Sequence, residues 1–178
     1  MKLLPNARKR RFKLKVKEVR RKMPAQKPHT SEQSVGTPLD FWKALEGKFG
    51  VMSWDLAASA HNTKCEQYID KTKNTFKVKW YKLKGKLFLN PPYSNIRKFA
   101  AKCVRESKRG AHIFFLVPAS VGSNWFRDHV FKHARVWFLN GRLKFINHHQ
   151  PYPKDLMLIE YGAGRGIHVW DWRTGQVL

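Results

Sequence analysis

The sequence predicts an α/β domain with a mostly parallel sheet and an antiparallel edge hairpin, preceded by a basic arm. Three observations point that way. Short apolar runs alternate with segments of helical periodicity, as in a parallel sheet with crossover helices. Residues 111–117, with Ile113-Phe114-Phe115-Leu116, form an apolar run interrupted only by His112, as in a strand covered on both faces. Asn140-Gly141 separates the short segments 135–139 and 142–146, the strongest hairpin signal in the chain.

In chain order, residues 1–34 form the arm. Arg8-Lys9-Arg10-Arg11 and Arg20-Arg21-Lys22 are dense basic clusters, and Pro24 and Pro28 break any helix. Such an arm is either a solvated tail or a segment that binds nucleic-acid phosphates. The domain proper is expected over 35–178. Thr37-Pro38-Leu39-Asp40 reads as a helix start, with Thr37 as the cap, Pro38 at the first helical position and Asp40 closing a capping box. Leu39, Trp42 and Leu45 share one face, and Gly47 and Gly50 end the helix. Residues 51–56 and Lys86–Leu89 read as strands, the second stopped by Asn90-Pro91-Pro92-Tyr93. Ser94 or Asn95 then caps a helix whose buried stripe is Ile96, Phe99, Ala100, Cys103 and Val104. Gly110 ends it, the 111–117 strand runs to Pro118, and Ser123 opens a helix through Trp125, Phe126, Val130 and Phe131. Strands at 156–160 and 167–172 flank Gly162-Ala163-Gly164-Arg165-Gly166, which reads as a hairpin turn. That glycine loop lacks the strand–turn–helix context of a dinucleotide site.

The chain has 178 residues with 36 Lys and Arg against 12 Asp and Glu, a formal net charge of +24. That excess selects a polyanionic partner, nucleic acid first, over an acidic small molecule alone. Seven Trp, 12 Phe and 5 Tyr exclude a wholly disordered basic chain. Cys65 and Cys103 are too few for a disulfide framework or a four-thiolate zinc site, and they read as reduced thiols of a cytosolic protein. No apolar run reaches the ~18 residues of a membrane span, and the N-terminus lacks a signal-peptide segment. The eight histidines show no metal-ligand spacing, and His148-His149 reads as a loop pair, so no metal is expected.

The chemistry is expected at Asn90-Pro91-Pro92-Tyr93. A strand ends there, and ligands of open α/β sheets bind beyond the carboxyl ends of strands. An exocyclic amine on a base is a poor nucleophile because its lone pair is delocalised into the ring. An Asn oxygen and a main-chain carbonyl that accept its two N–H bonds favour a pyramidal nitrogen able to attack a methyl donor. Pro91 contributes no N–H, and Pro91 with Pro92 holds the carbonyl rigidly. Tyr93 can stack on the base.

Thr37-Pro38, Trp54-Asp55-Leu56-Ala57-Ala58-Ser59, Asn62, Lys64-Cys65, Tyr68 and Trp80 precede that tetrapeptide. Leu116-Val117-Pro118-Ala119, Trp125-Phe126, Gly141-Arg142-Leu143-Lys144-Phe145 and Pro151-Tyr152-Pro153 follow it. This succession, over about residues 36–160, resembles the phage Dam-type DNA adenine-N6 methyltransferase family. The resemblance implies a Rossmann-like domain that transfers a methyl group from S-adenosylmethionine to adenine in double-stranded DNA. The base would be flipped, because its amine is inaccessible inside the duplex. Asn90 and Pro91 would hold the amine and Tyr93 would stack. Asp55 would face the methionine part of the cofactor, with Thr37 and Pro38 at the same end. Ala57 and Ser59 stand in the turn that is Gly-rich in many such enzymes. Asn74 stands where the family often has an acidic residue for the cofactor adenine, and Asp70 is its rival for the ribose hydroxyls. Arg142 and Lys144 are either phosphate contacts or solvated hairpin charges. With 84 residues after Ser94 no separate recognition domain is expected, so the target is GATC, as the family name suggests, or a relaxed site. The alternatives are an RNA or protein amine methyltransferase, and a non-catalytic DNA-binding protein of the same fold.

Overall fold

In the computed structural model, residues 36–146 and 149–178 are described. The basic clusters Arg8 to Arg11 and Arg20 to Lys22, and residues 1–34 generally, lie outside them. In chain order the described elements are α1 (Leu39–Phe49), β1 (Met52–Asp55), β2 (Gln67–Tyr68), β3 (Lys86–Leu89) and α2 (Ile96–Ser107). Then come β4 (His112–Pro118), α3 (Asn124–His129), β5 (Arg135–Asn140), β6 (Leu156–Tyr161) and β7 (Gly166–Asp171). The strands form one sheet in the order β2-β1-β3-β4-β6-β5-β7. β6 alone runs against its neighbours, pairing antiparallel with β4 and β5, and the other pairings are parallel. This is the α/β, mostly parallel, Rossmann-like architecture.

The sheet is covered on both sides, which explains why its central strands carry no polar stripe. Leu87, Leu89, Ile113, Phe115 and Val117 pack on one side with Phe99 and Cys103 of α2 and Phe126 of α3. Phe88, Phe114 and Leu116 alternate to the other side and meet Phe41, Trp42 and Leu45 of α1. Only α2 and α3 are true crossover helices. β1, β2 and β3 are linked by irregular chain and the short 3-10 turns Lys71–Lys73 and Trp80–Lys82.

Two expectations are corrected. Asn140-Gly141 does turn, with Gly141 at φ +101°, but 142–146 forms no strand and there is no edge hairpin. Both edges of β5 are already taken, by β6 and β7, so the following segment has no ladder to join. Its alternation serves packing instead: Leu143 and Phe145 are buried beside α1, while Arg142 and Lys144 are exposed. The antiparallel strand is the interior β6, and the sheet edges are β2 and β7. Likewise β6 and β7 are not a hairpin, because β5 lies between them. The glycine loop must therefore clear a strand it does not pair with. Gly162, Gly164 and Gly166 have φ of +94°, +96° and +144°, and a Cβ at Gly162 would lie 2.6 Å from the Ala111 carbonyl oxygen.

Candidate active site

Asp55 and Asn90 lie at the carboxyl ends of the adjacent parallel strands β1 and β3. Asp55 pairs with Phe88, so Asn90 stands two residues further along the neighbouring strand. Parallel neighbours are about 4.8 Å apart, so both side chains open on the same end of the sheet.

Asn90 is held from two sides. Its Nδ2 donates to Thr37 Oγ1 at 3.2 Å, and its Oδ1 accepts from the Tyr93 hydroxyl at 3.3 Å. Thr37 is 4% exposed and is not the helix cap expected of it. Pro38 occupies the N-cap position of α1, where no side chain caps, and Asp40 Oδ1 accepts from the Phe41 N–H instead of closing a capping box. The physical reason is that the Thr37 hydroxyl has a partner 53 residues away. Pro91 is buried, and Pro92 leads into the 3-10 turn Tyr93–Asn95. That turn delivers the chain into α2, which starts after Asn95 without a side-chain cap bond. Burial, then the neighbouring Tyr152, pushes the Tyr93 phenol well above its ordinary value. The hydroxyl therefore keeps its proton and acts as a donor to Asn90.

Tyr152 and Phe145 complete an aromatic wall that local reading missed. The Tyr152 ring meets Tyr93 edge-on at 5.9 Å between centroids, and Phe145 meets Tyr152 at 5.5 Å. Two main-chain bonds lock the segments together. Ile146 N–H donates to Gly36 O, and Tyr152 N–H donates to Leu143 O. Pro151-Tyr152-Pro153 and Gly141-Arg142-Leu143-Lys144-Phe145 thus act as a brace behind Thr37 and Tyr93. The signal was there, an aromatic fixed between two prolines, but nothing local says which ring it faces.

Asp55 is 6% exposed, and its Oδ1 accepts from the Ala57 N–H at 3.2 Å. Among the described residues no basic side chain comes within ion-pair distance of it. Burial pushes its carboxyl up to about 6, against the smaller opposing effects of the Ala57 bond and Lys64. The turn after it is rigid. Leu56 N–H donates to Phe88 O, Ala58 N–H to Ile69 O, and Asn62 Oδ1 accepts from both the N–H and the hydroxyl of Ser59. A dry, unpaired carboxylate beside such a turn suits a cationic group of a ligand. Because the folded pKa is raised, the folded chain binds more protons than the unfolded one between roughly pH 4 and 6. The stability from neutral Asp55 is full below about pH 4 and lost as pH rises through about 6. Asp55→Asn is therefore expected to stabilise the chain at pH 8 by roughly 2–3 kcal/mol, and by about half as much at pH 5. Thermal melts at the two pH values measure this, and an equal shift at both would show that the carboxylate is not desolvated.

Of the remaining expected residues, Asp70 stands two residues beyond Tyr68, the β2 partner of Asp55. Asn74 is exposed, in left-handed conformation at φ +41°, and its Oδ1 accepts from the Phe76 N–H within its own turn. Asp70 caps the 3-10 turn through Thr72 and Lys73, and the Thr72 hydroxyl bond leads the effects that lower its carboxyl pKa. Arg142 lies 3.4 Å from Asp155 on the surface, and Lys144 is exposed. Among the described residues no group of His, Cys, Asp and Glu could hold a metal ion, and no helix is long and apolar enough to cross a membrane.

Residues 25–156 match the family described as DNA N-6-adenine-methyltransferase (Dam). The chain is similar to the DNA N-6-adenine-methyltransferase of Escherichia phage T1, 35% identical over 92 residues that cover 52% of this chain and 38% of that protein. It is also similar to the DNA N-6-adenine-methyltransferase of Haemophilus phage HP1, 31% identical over 97 residues that cover 52% of this chain and 54% of the relative. The matched segments thus span about half or less of either phage protein.

Proposed function

The chain belongs to the DNA N-6-adenine-methyltransferase (Dam) family, and from that premise we propose that it transfers a methyl group from S-adenosylmethionine to the exocyclic amine of adenine in double-stranded DNA. The observation that supports this most is the bracing of Asn90 between Thr37 and Tyr93 at the end of β3, one strand from the buried Asp55.

The residues fit the cofactor. Asp55 would hold its ammonium group, and the rigid Ala57 to Ser59 turn and Thr37 would line the same end. Asn74 would reach its adenine only by leaving its present turn. When bound, S-adenosylmethionine supplies an electrophilic methyl group on a sulfonium.

The chain's own part is positioning. The adenine is flipped out of the duplex and its face lies against Tyr93. Asn90 Oδ1 and the Pro91 carbonyl each accept one N–H of the amine. This draws the nitrogen towards a pyramidal geometry and aims its lone pair. The attacking nitrogen becomes cationic and sheds its proton afterwards, so no strong base is required. Aligned reactants held at attack distance account for most of the rate. The basic arm 1–34, with Arg142 and Lys144, adds phosphate contacts, and the target is short or relaxed. The enzyme acts in the cytoplasm of a phage's host.

Thr37 turns the Asn90 amide so that its oxygen faces the base. Thr37→Val is expected to lower kcat about five- to tenfold, the worth of about one net hydrogen bond, while Thr37→Ser retains activity. Equal kcat in both variants would remove Thr37 from this role. The overall reading is tested with labelled S-adenosylmethionine and DNA, RNA or protein as acceptor. Label on DNA adenine is expected; label confined to RNA or protein would overturn it, and mapping methylated adenines on a plasmid gives the target.

A further inference from the structure

Basic charge is concentrated in one stretch of the described chain. Residues 70–110 hold 13 of the 24 Lys and Arg of residues 37–178, and two of the ten Asp and Glu. Of the two carboxylates, Glu106 pairs with Lys102 and Arg105 of this set. Asp70 is engaged in its own 3-10 turn, and Glu106 is 4% exposed and bonded to Lys102.

In this stretch the lysines of 77–84 are left in solvent while their neighbours pack inward. Val78, Trp80, Tyr81 and Leu83 pack onto the core, while Lys77, Lys79, Lys82 and Lys84 are exposed. The segment has little secondary structure and is fastened to α2 by a buried ion pair. Lys102 Nζ donates to Glu106 Oε1 at 3.1 Å and to the Val78 carbonyl at 2.8 Å, under the Trp80 ring at 4.6 Å. Glu106 Oε2 accepts from the Tyr81 N–H at 3.2 Å. Breaking such a pair from one side is costly, so the lysine face is firmly held. α2 extends it with Arg97 and Lys98 in its first turn, four and five residues after Tyr93, and Arg105 further along.

We propose that this face, the lysine segment 77–84 with the exposed side of α2, carries the phosphate backbone of the DNA duplex. This rests on the reading of the chain as a DNA adenine methyltransferase and adds a surface that neither the arm nor Arg142 and Lys144 supplies. The face begins at the candidate site. At about 1.5 Å per residue α2 is about 18 Å long, about half of a duplex turn of 34–36 Å. A duplex that presents an adenine at Asn90 therefore keeps phosphates within reach of it. Lysines neutralise phosphate without reading sequence. Rings of this face are already engaged, Phe76 on Phe99 at 4.6 Å and Tyr81 under the Arg109 guanidinium at 3.7 Å. A single strand relies on open rings for base stacking, so duplex backbone is the better fit.

The test is binding of a labelled duplex by the full chain, followed by anisotropy across a salt series without cofactor. The variant Lys77→Gln/Lys79→Gln/Lys82→Gln/Lys84→Gln is expected to bind at least tenfold more weakly at moderate salt. Its slope of log affinity against log salt should fall by about 0.9 for each phosphate it no longer neutralises. Each double variant, Lys77→Gln/Lys79→Gln or Lys82→Gln/Lys84→Gln, should give about half the change, with unaltered thermal melts. Lys132→Gln/Arg165→Gln, towards the β5–β7 side of the sheet, should leave the slope close to wild type. An unchanged slope in the fourfold variant overturns the proposal, and so does weakened binding of single-stranded DNA with duplex binding intact. If the lysine variants bind duplex poorly but the wild type methylates no DNA, the surface stands and the activity reading fails.

Discussion

Asn90→Ala is expected to reduce methyl transfer to DNA by at least about a hundredfold while cofactor binding survives. Asn90 has no part in the core, and it lies beyond the last residue of β3. Its removal leaves Pro91 and the strand in place but takes away the acceptor that polarises the attacking nitrogen. Removing one well-placed polar partner of a transition state typically costs a factor of 10² to 10³. Deletion also leaves the buried Thr37 hydroxyl and the Tyr93 hydroxyl without the amide they now bond, so a modest drop in melting temperature should accompany it. Single-turnover methylation, with cofactor affinity measured by calorimetry, separates chemistry from binding. Near-normal turnover would sink the assignment of Asn90. Asp55→Asn should do the reverse, weakening cofactor affinity about 10- to 100-fold, as for a bond to a charged group, with DNA binding unchanged.

Tyr93 should divide into two separable effects. Tyr93→Ala removes the ring on which the flipped adenine rests, at a cost of about 1–3 kcal/mol, or roughly 5- to 150-fold in kcat/KM. It also removes the edge-on packing with Tyr152, so the brace through Phe145 loosens. Tyr93→Phe keeps the ring and its packing on Tyr152 but deletes the hydroxyl bond to Asn90 Oδ1. The cost is about one net hydrogen bond, so a five- to tenfold fall in kcat is expected with little change in KM. Burial holds the phenol proton in place, so wild-type activity should show no titration from Tyr93 below pH 9. If Phe is as damaging as Ala, the hydroxyl rather than the ring is the essential part. If neither variant matters, Tyr93 does not stack on the target base.

Where local physics decides, the sequence was informative. Lys86–Leu89 ends just before Pro91-Pro92, which cannot donate to a ladder. The Ile96, Phe99, Ala100 and Cys103 stripe marks one face of α2, whose Phe99, Ala100 and Cys103 are buried. Ser123 caps α3 through its hydroxyl, as its position before Trp125 and Phe126 suggests. The candidate nucleophile-orienting group was legible for the same reason: an amide after an apolar strand has few structural uses.

Most of the errors concern partners distant in sequence. Asn140-Gly141 is a sound turn, but whether the next segment pairs depends on which strands already flank β5. The Gly162 to Gly166 loop looks like a hairpin because turn chemistry is local, while the strand it passes is recruited from residues 135–140. Thr37 has the right neighbours for a helix cap, and its hydroxyl bonds Asn90 instead.

The residues alone therefore carried the layer type of the domain, the place where β3 stops, and the amide–proline–proline–aromatic group set beyond it. Periodicity, backbone sterics and composition act over a few residues and leave their mark in the chain itself. Tertiary structure decided the rest: the interior place of β6, the bond between Thr37 and Asn90, and the Tyr152–Phe145 brace behind Tyr93. It also left Lys77, Lys79, Lys82 and Lys84 exposed on a segment fixed on Lys102 and Glu106. These interactions join segments up to dozens of residues apart. Their energies depend on which free edge, open acceptor or ring the folded core brings near, and no short stretch of sequence contains that information.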